Sequence, residues 1–93
     1  MNRKQLEKLY ENETGLSAAQ GQERIDKLER FVANNNISDV NQMEIVDDKN
    51  KMRRDYRNGI RWQPGKQIDD TILLGYTNGG GGYCKSAIFV SLV

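Results

Sequence analysis

Between Lys49 and Lys66 the chain gathers seven cations, Lys49, Lys51, Arg53, Arg54, Arg57, Arg61 and Lys66, with the rings of Tyr56 and Trp62 set among them. Cationic side chains neutralise phosphates or acidic protein surfaces, and aromatic rings stack on unpaired bases or fill a partner's pockets. On a helix, Lys49, Arg53 and Arg57 share one face at i, i+4 spacing, while Arg54 and Arg61 lie seven apart, so the charge can form a stripe. The plainer reading is a solvated face, paired with acids elsewhere in the chain.

A second candidate follows at Gly79-Gly80-Gly81-Gly82-Tyr83-Cys84-Lys85-Ser86, which approaches the phosphate-binding pattern G-x-x-x-x-G-K-[ST]. Cys84 stands where the pattern needs its last glycine, and the residues after Ser86 read as a strand where it needs a helix. A true P-loop is therefore not expected. Four glycines still expose backbone N–H groups that can cradle an anion, and Tyr76 and Tyr83 flank them as stacking rings. Tyr76, Gly79, Gly80, Gly81, Gly82, Tyr83 and Lys85 thus form a candidate loop for a nucleotide or small anion, against the simpler reading of a loose hairpin connection.

Two acidic pairs, Asp47-Asp48 and Asp69-Asp70, raise the question of a magnesium site. Adjacent carboxylates on a strand point to opposite faces, and such pairs more often cap helices or solubilise turns, so no metal site is expected. The sequence holds no histidine and one cysteine. Ser–His and Cys–His nucleophile pairs, histidine general bases and cysteine-rich zinc sites are thereby excluded. The expected class is a binding protein without catalysis or cofactor.

These residues must be held by a small scaffold. Ninety-three residues suffice for one domain, which buries only roughly 60–70% of the surface its unfolded chain exposes. With one cysteine, no signal-like segment near Met1 and no apolar run long enough to span a bilayer, the expected setting is a reducing cytoplasm, without membrane partners. The net charge of +1 conceals a dipole: residues 1–48 carry six Lys/Arg against ten Asp/Glu, residues 49–93 eight against three. Such a layout can orient a partner or let copies of the chain associate.

Leu6, Leu9 and Tyr10 at helical spacing predict a first helix over residues 2–12, broken by Gly15. Ser17 and Gln20 read as a capping box opening a second helix, whose apolar stripe is Ile25, Leu28, Phe31 and Val32 and which stops at Asn34-Asn35-Asn36. Residues 37–60 are ambiguous. Val40, Met43 and Ile45-Val46 suit a helical turn or a short strand. From Asp48 to Tyr56 propensity favours a third, basic helix closed by Asn58-Gly59, although Asn-Gly is also a hairpin signal between Met52–Tyr56 and Ile60–Trp62.

Pro64-Gly65 marks a turn, and Thr71–Tyr76 and Tyr83–Val93 read as an antiparallel hairpin. In the last strand Ala87, Phe89 and Ser91 face one way and Ile88, Val90 and Leu92 the other. Both faces should therefore be covered, one by helix and one by a neighbour or a second subunit. The expectation is an α+β domain: two N-terminal helices, a third basic helix or hairpin, and a C-terminal antiparallel β-hairpin packed on them. Its expected role is that of a small inhibitor or adaptor, by analogy of size with accessory proteins of phages and mobile elements. It would dock on a host protein or nucleoprotein complex in the host cytoplasm. Nucleic-acid binding and a homo-oligomer are the other partner classes.

Overall fold

Helix α1, Arg3–Thr14, starts at a reciprocal cap. Asn2 accepts the Gln5 backbone N–H at 2.9 Å, and the Gln5 side chain accepts the Asn2 N–H at 2.8 Å. Gly15, at φ 72°, ends the helix in the left-handed conformation. Its inward face is Leu6, Tyr10 and Thr14, one above another at i, i+4 and i+8. This is a computed structural model of the chain, and it describes residues 1–77 and 86–93.

Ser17 does cap, but it caps a 3-10 turn, Ala18–Gln20, through the Ala19 N–H at 3.2 Å. Helix α2, Gln22–Asn34, begins only after Gly21. The displacement has a steric cause: a Cβ at Gly21 would lie 2.4 Å from the buried Tyr10 ring, so the backbone crosses α1 here at a distance only glycine allows. Helix α2 buries Ile25, Leu28, Phe31 and Val32 and closes where the Asn35 side chain donates to the Phe31 carbonyl at 2.8 Å. Arg3 ties the two helices together through Asp26 at 2.6 Å.

The ambiguous segment resolves into a strand followed by a helix. A 3-10 turn at Val40–Gln42 leads into β1, Met43–Asp47, and α3 spans Lys51–Arg57. The hairpin alternative for Met52–Trp62 is overturned. Asp48 accepts the Asn50 and Lys51 N–H groups at 2.9 and 3.1 Å, which starts a helix, and Gly59 at φ 84° ends it. After the turn at Pro64-Gly65 come β2, Gln67–Ile68, and β3, Thr71–Tyr76, joined by the two-residue turn Asp69-Asp70 with Asp69 at φ 55°. The final strand is β4, Ala87–Leu92.

All neighbours in the sheet are antiparallel, in the order β1-β4-β3-β2. Thus β4, which the C-terminal hairpin reading paired only with β3, is an interior strand with β1 on its other side. Its alternation is as expected. Ile88 and Val90 join Ile72, Leu74 and the helical residues Leu6, Tyr10, Ile25, Leu28 and Phe31 in the main core. Ala87 and Phe89 join Leu73 and Trp62 on the opposite face, with Met52, Ile60, Ile68 and Tyr76 packed around them. That second face is covered by α3 and the segment after it, so the chain itself supplies the cover for which a second subunit was an option.

Candidate partner-binding face on α3

Helix α3 is anchored by one polar cluster over the second core. The Trp62 indole N–H donates to Asp55 Oδ2 at 2.7 Å, and Lys51 Nζ lies 3.3 Å from the same oxygen. Trp62 meets Phe89 edge to face, with ring centroids 5.1 Å apart. The Lys51 ammonium sits 5.5 Å from the Phe89 centroid and 5.8 Å from that of Trp62, within cation–π range of both. The Trp62 N–H, then Lys51, holds the Asp55 carboxyl below the ordinary carboxylate range. At the start of the helix Arg54 pairs with Asp48 at 2.8 Å, and that hydrogen bond, with the Asn50 N–H, lowers the Asp48 pKa as well.

The nine residues expected to meet a partner therefore divide. Trp62 is 6% exposed and is a core residue, so it is removed from the outward surface. Lys51 and Arg54 are engaged as described, and Lys66 donates to the Arg61 carbonyl at 2.8 Å. Arg54 and Lys66 are nonetheless exposed, as are Lys49, Arg53, Tyr56, Arg57 and Arg61, whose side chains make none of these contacts. The stripe linking Arg54 to Arg61 does not form, because the helix ends at Arg57. Instead the chain turns at Gly59 and brings the Arg61 guanidinium to 5.4 Å from the Tyr56 ring. Tyr56 is 61% exposed, and beside it a shallow depression is lined by Tyr56, Gly59, Ile60 and Arg61.

Arg53, Tyr56 and Arg57 share one face at i, i+3 and i+4. Among the described residues neither Arg53 nor Arg57 forms an ion pair. The side of the helix that faces the sheet is held by Lys51, Met52 and Asp55.

Of the glycine-loop candidates, Tyr76 is half-buried against the Trp62–Phe89 cluster. Gly79, Gly80, Gly81, Gly82, Tyr83 and Lys85 lie outside the described residues. Three of the four acids in the two acidic pairs have structural roles: Asp48 accepts the Asn50 and Lys51 N–H groups just ahead of α3, and Asp69-Asp70 turns the β2–β3 connection. Asp55 is the residue that sequence reasoning passed over. Its signal was its isolation, as the one acid between Lys49 and Lys66, four positions after Lys51.

No protein-family model, no curated protein and no solved structure matches this chain. No helix among the described residues is long and apolar enough to cross a membrane.

Proposed function

We propose that the chain is a non-catalytic inhibitor or adaptor that docks on the acidic surface of a protein partner through the outward face of α3. Arg53, Tyr56, Arg57 and Arg61 form the centre of that face and Lys49 its edge. The observation that carries the reading is the exposed Tyr56 ring, stacked under Arg61 and flanked by two arginines that no acid of the described chain neutralises. Tyrosine and arginine dominate binding energy at protein interfaces, because each combines a large contact area with directional hydrogen bonding.

Nucleic acid stands second. A single-strand platform stacks successive bases on successive rings. Here Trp62 lies in the core and one face of Tyr56 is already taken by Arg61, so the second ring that such a platform needs is missing from this face.

The test is affinity capture from a lysate of the protein's natural host, with and without nuclease, using the wild-type chain and Arg53→Glu/Arg57→Glu. One stoichiometric protein, resistant to nuclease and lost with the double variant, is the expected result. Capture of nucleic acid alone, abolished by nuclease, would replace this reading with the second one. A protein captured equally by the double variant would remove α3 from the interface.

A further inference from the structure

We propose that two copies of this chain pair antiparallel through the free edge of β1, with the two-fold axis at Ile45, to make one continuous eight-stranded sheet. The edge is defined by hydrogen bonding. β1 lies at the end of the sheet, and the bonds flanking it, Asp48 N–H to the Ala87 carbonyl and Val93 N–H to the Gln42 carbonyl, turn the backbone of the even-numbered residues toward β4. The Met43 N–H is taken up by the Val40 carbonyl of the 3-10 turn, and by alternation the Met43 carbonyl and the N–H and C=O groups of Ile45 and Asp47 point outward. No strand among the described residues meets them. Such a row of unpaired groups is a template for another strand.

Apolar exposure collects at the same place. Of the four large apolar side chains left exposed among the described residues, three flank this edge: Val46 in β1 at 38%, Val40 just before it at 43%, and Val93 beside Gln42 at 86%.

Charge selects both occupant and register. A second copy is admitted because one two-fold arrangement of the strand opposes no like charges. Centred on Ile45, it sets Glu44 against the second copy's Val46 and Asp47 against the second copy's Met43. Moving the axis to Glu44 brings the two Glu44 carboxylates face to face, moving it to Val46 sets Glu44 against Asp48 twice, and moving it to Asp47 opposes the two Asp47 residues. Like charges directly opposite destabilise a strand pair, so the acids of β1 specify this register while discouraging the others.

Sedimentation velocity on the full chain from micromolar to millimolar concentration tests the proposal, with far-UV circular dichroism to verify folding. Position 46 is exposed and faces Glu44 of the second copy, so its charge discriminates. The wild type should dimerise, Val46→Glu should weaken the dimer about tenfold through two new carboxylate pairs, and Val46→Lys should retain or tighten it. Glu44→Lys/Val46→Glu should restore wild-type association. A chain that stays monomeric at millimolar concentration overturns the proposal. So does a dimer indifferent to Val46→Glu, or one weakened equally by glutamate and lysine. Self-association is read without the α3 partner, so its failure would leave the docking proposal untouched.

Discussion

The indole N–H of Trp62 and the carboxylate of Asp55 meet at 2.7 Å, and this bond fastens α3 to the face of the sheet opposite the two long helices. The carboxylate also accepts Lys51, whose ammonium lies over Phe89 and Trp62. One acid thus holds a cation against an aromatic pair on the inner side of a helix whose outer side carries Arg53, Tyr56 and Arg57. A helix of seven residues is too short to persist on propensity alone, so this contact, with Met52 and Ile60 packed beside it, is what gives the outer face a fixed geometry.

Trp62→Phe should keep most of the ring packing and delete the donor. Losing a hydrogen bond to a charged group costs about 1.5–3 kcal/mol, and the smaller ring adds to that loss. Trp62→Ala should cost about 3–5 kcal/mol. Urea denaturation of both variants checks the ordering; equal losses would show that the hydrogen bond alone holds α3, and a Trp62→Phe variant as stable as wild type would show that packing alone does.

Stability should fall with acid below the ordinary carboxylate range. Asp55, through the Trp62 N–H, and Asp48, through Arg54, are held below their usual 3.8 in the folded state. The unfolded chain therefore binds more protons as pH drops. The contribution is full above about pH 5 and is lost as pH falls through the depressed folded values. Urea midpoints between pH 7 and 2.5 should show this decline. Asp55→Asn should lower the plateau and flatten the acid limb.

Arg53→Glu/Arg57→Glu should leave the melting temperature nearly unchanged, because both side chains are exposed and form no ion pair among the described residues, and surface changes cost within about 0.5 kcal/mol. Tyr56→Ala should likewise spare the fold but weaken partner binding by about 2 kcal/mol or more, some thirtyfold, as truncation of a central aromatic does. Calorimetric titration of the captured partner gives the binding change and thermal melting the stability.

Gly21→Ala and Gly59→Ala should both destabilise, for different reasons. At Gly21 the new methyl meets the buried Tyr10 ring and overpacks the crossing of α1 and α2, at about 1–3 kcal/mol. At Gly59 nothing lies within 4 Å, and the cost is the left-handed backbone at φ 84°, about 1–2 kcal/mol. A D-alanine at Gly59, introduced by chemical synthesis, should recover that loss, whereas at Gly21 the crowding is steric and has no such remedy.

The readable parts of the chain were those with local causes. The stripe Ile25, Leu28, Phe31 and Val32, the stop at Gly15, the closure at Asn58-Gly59 and the two-faced alternation of Ala87–Leu92 each follow from residue type and period over a few positions, and each is present. β1 was not readable in the same way. Met43–Asp47 is short and only half alternating, and its strand conformation is set by pairing with β4, more than forty residues away in sequence. Intrinsic preference cannot decide such a segment when a distant neighbour supplies the hydrogen bonds.

In the candidate site, residue types were legible and directions were not. A basic stretch with two rings predicts a charged aromatic surface, yet which ring faces water depends on what lies beneath. Phe89 and Leu73 present an apolar face that α3 alone does not cover. The larger ring, Trp62, is drawn inward because its burial removes the most apolar area from water and its N–H finds Asp55. Tyr56, on the other side of the helix, is left outside with Arg61. Composition and period settled the α+β class and the cationic character of residues 49–66. Long-range burial settled the fourth strand, the inward turn of Trp62 and the outward placement of Lys49, Arg53, Tyr56, Arg57 and Arg61.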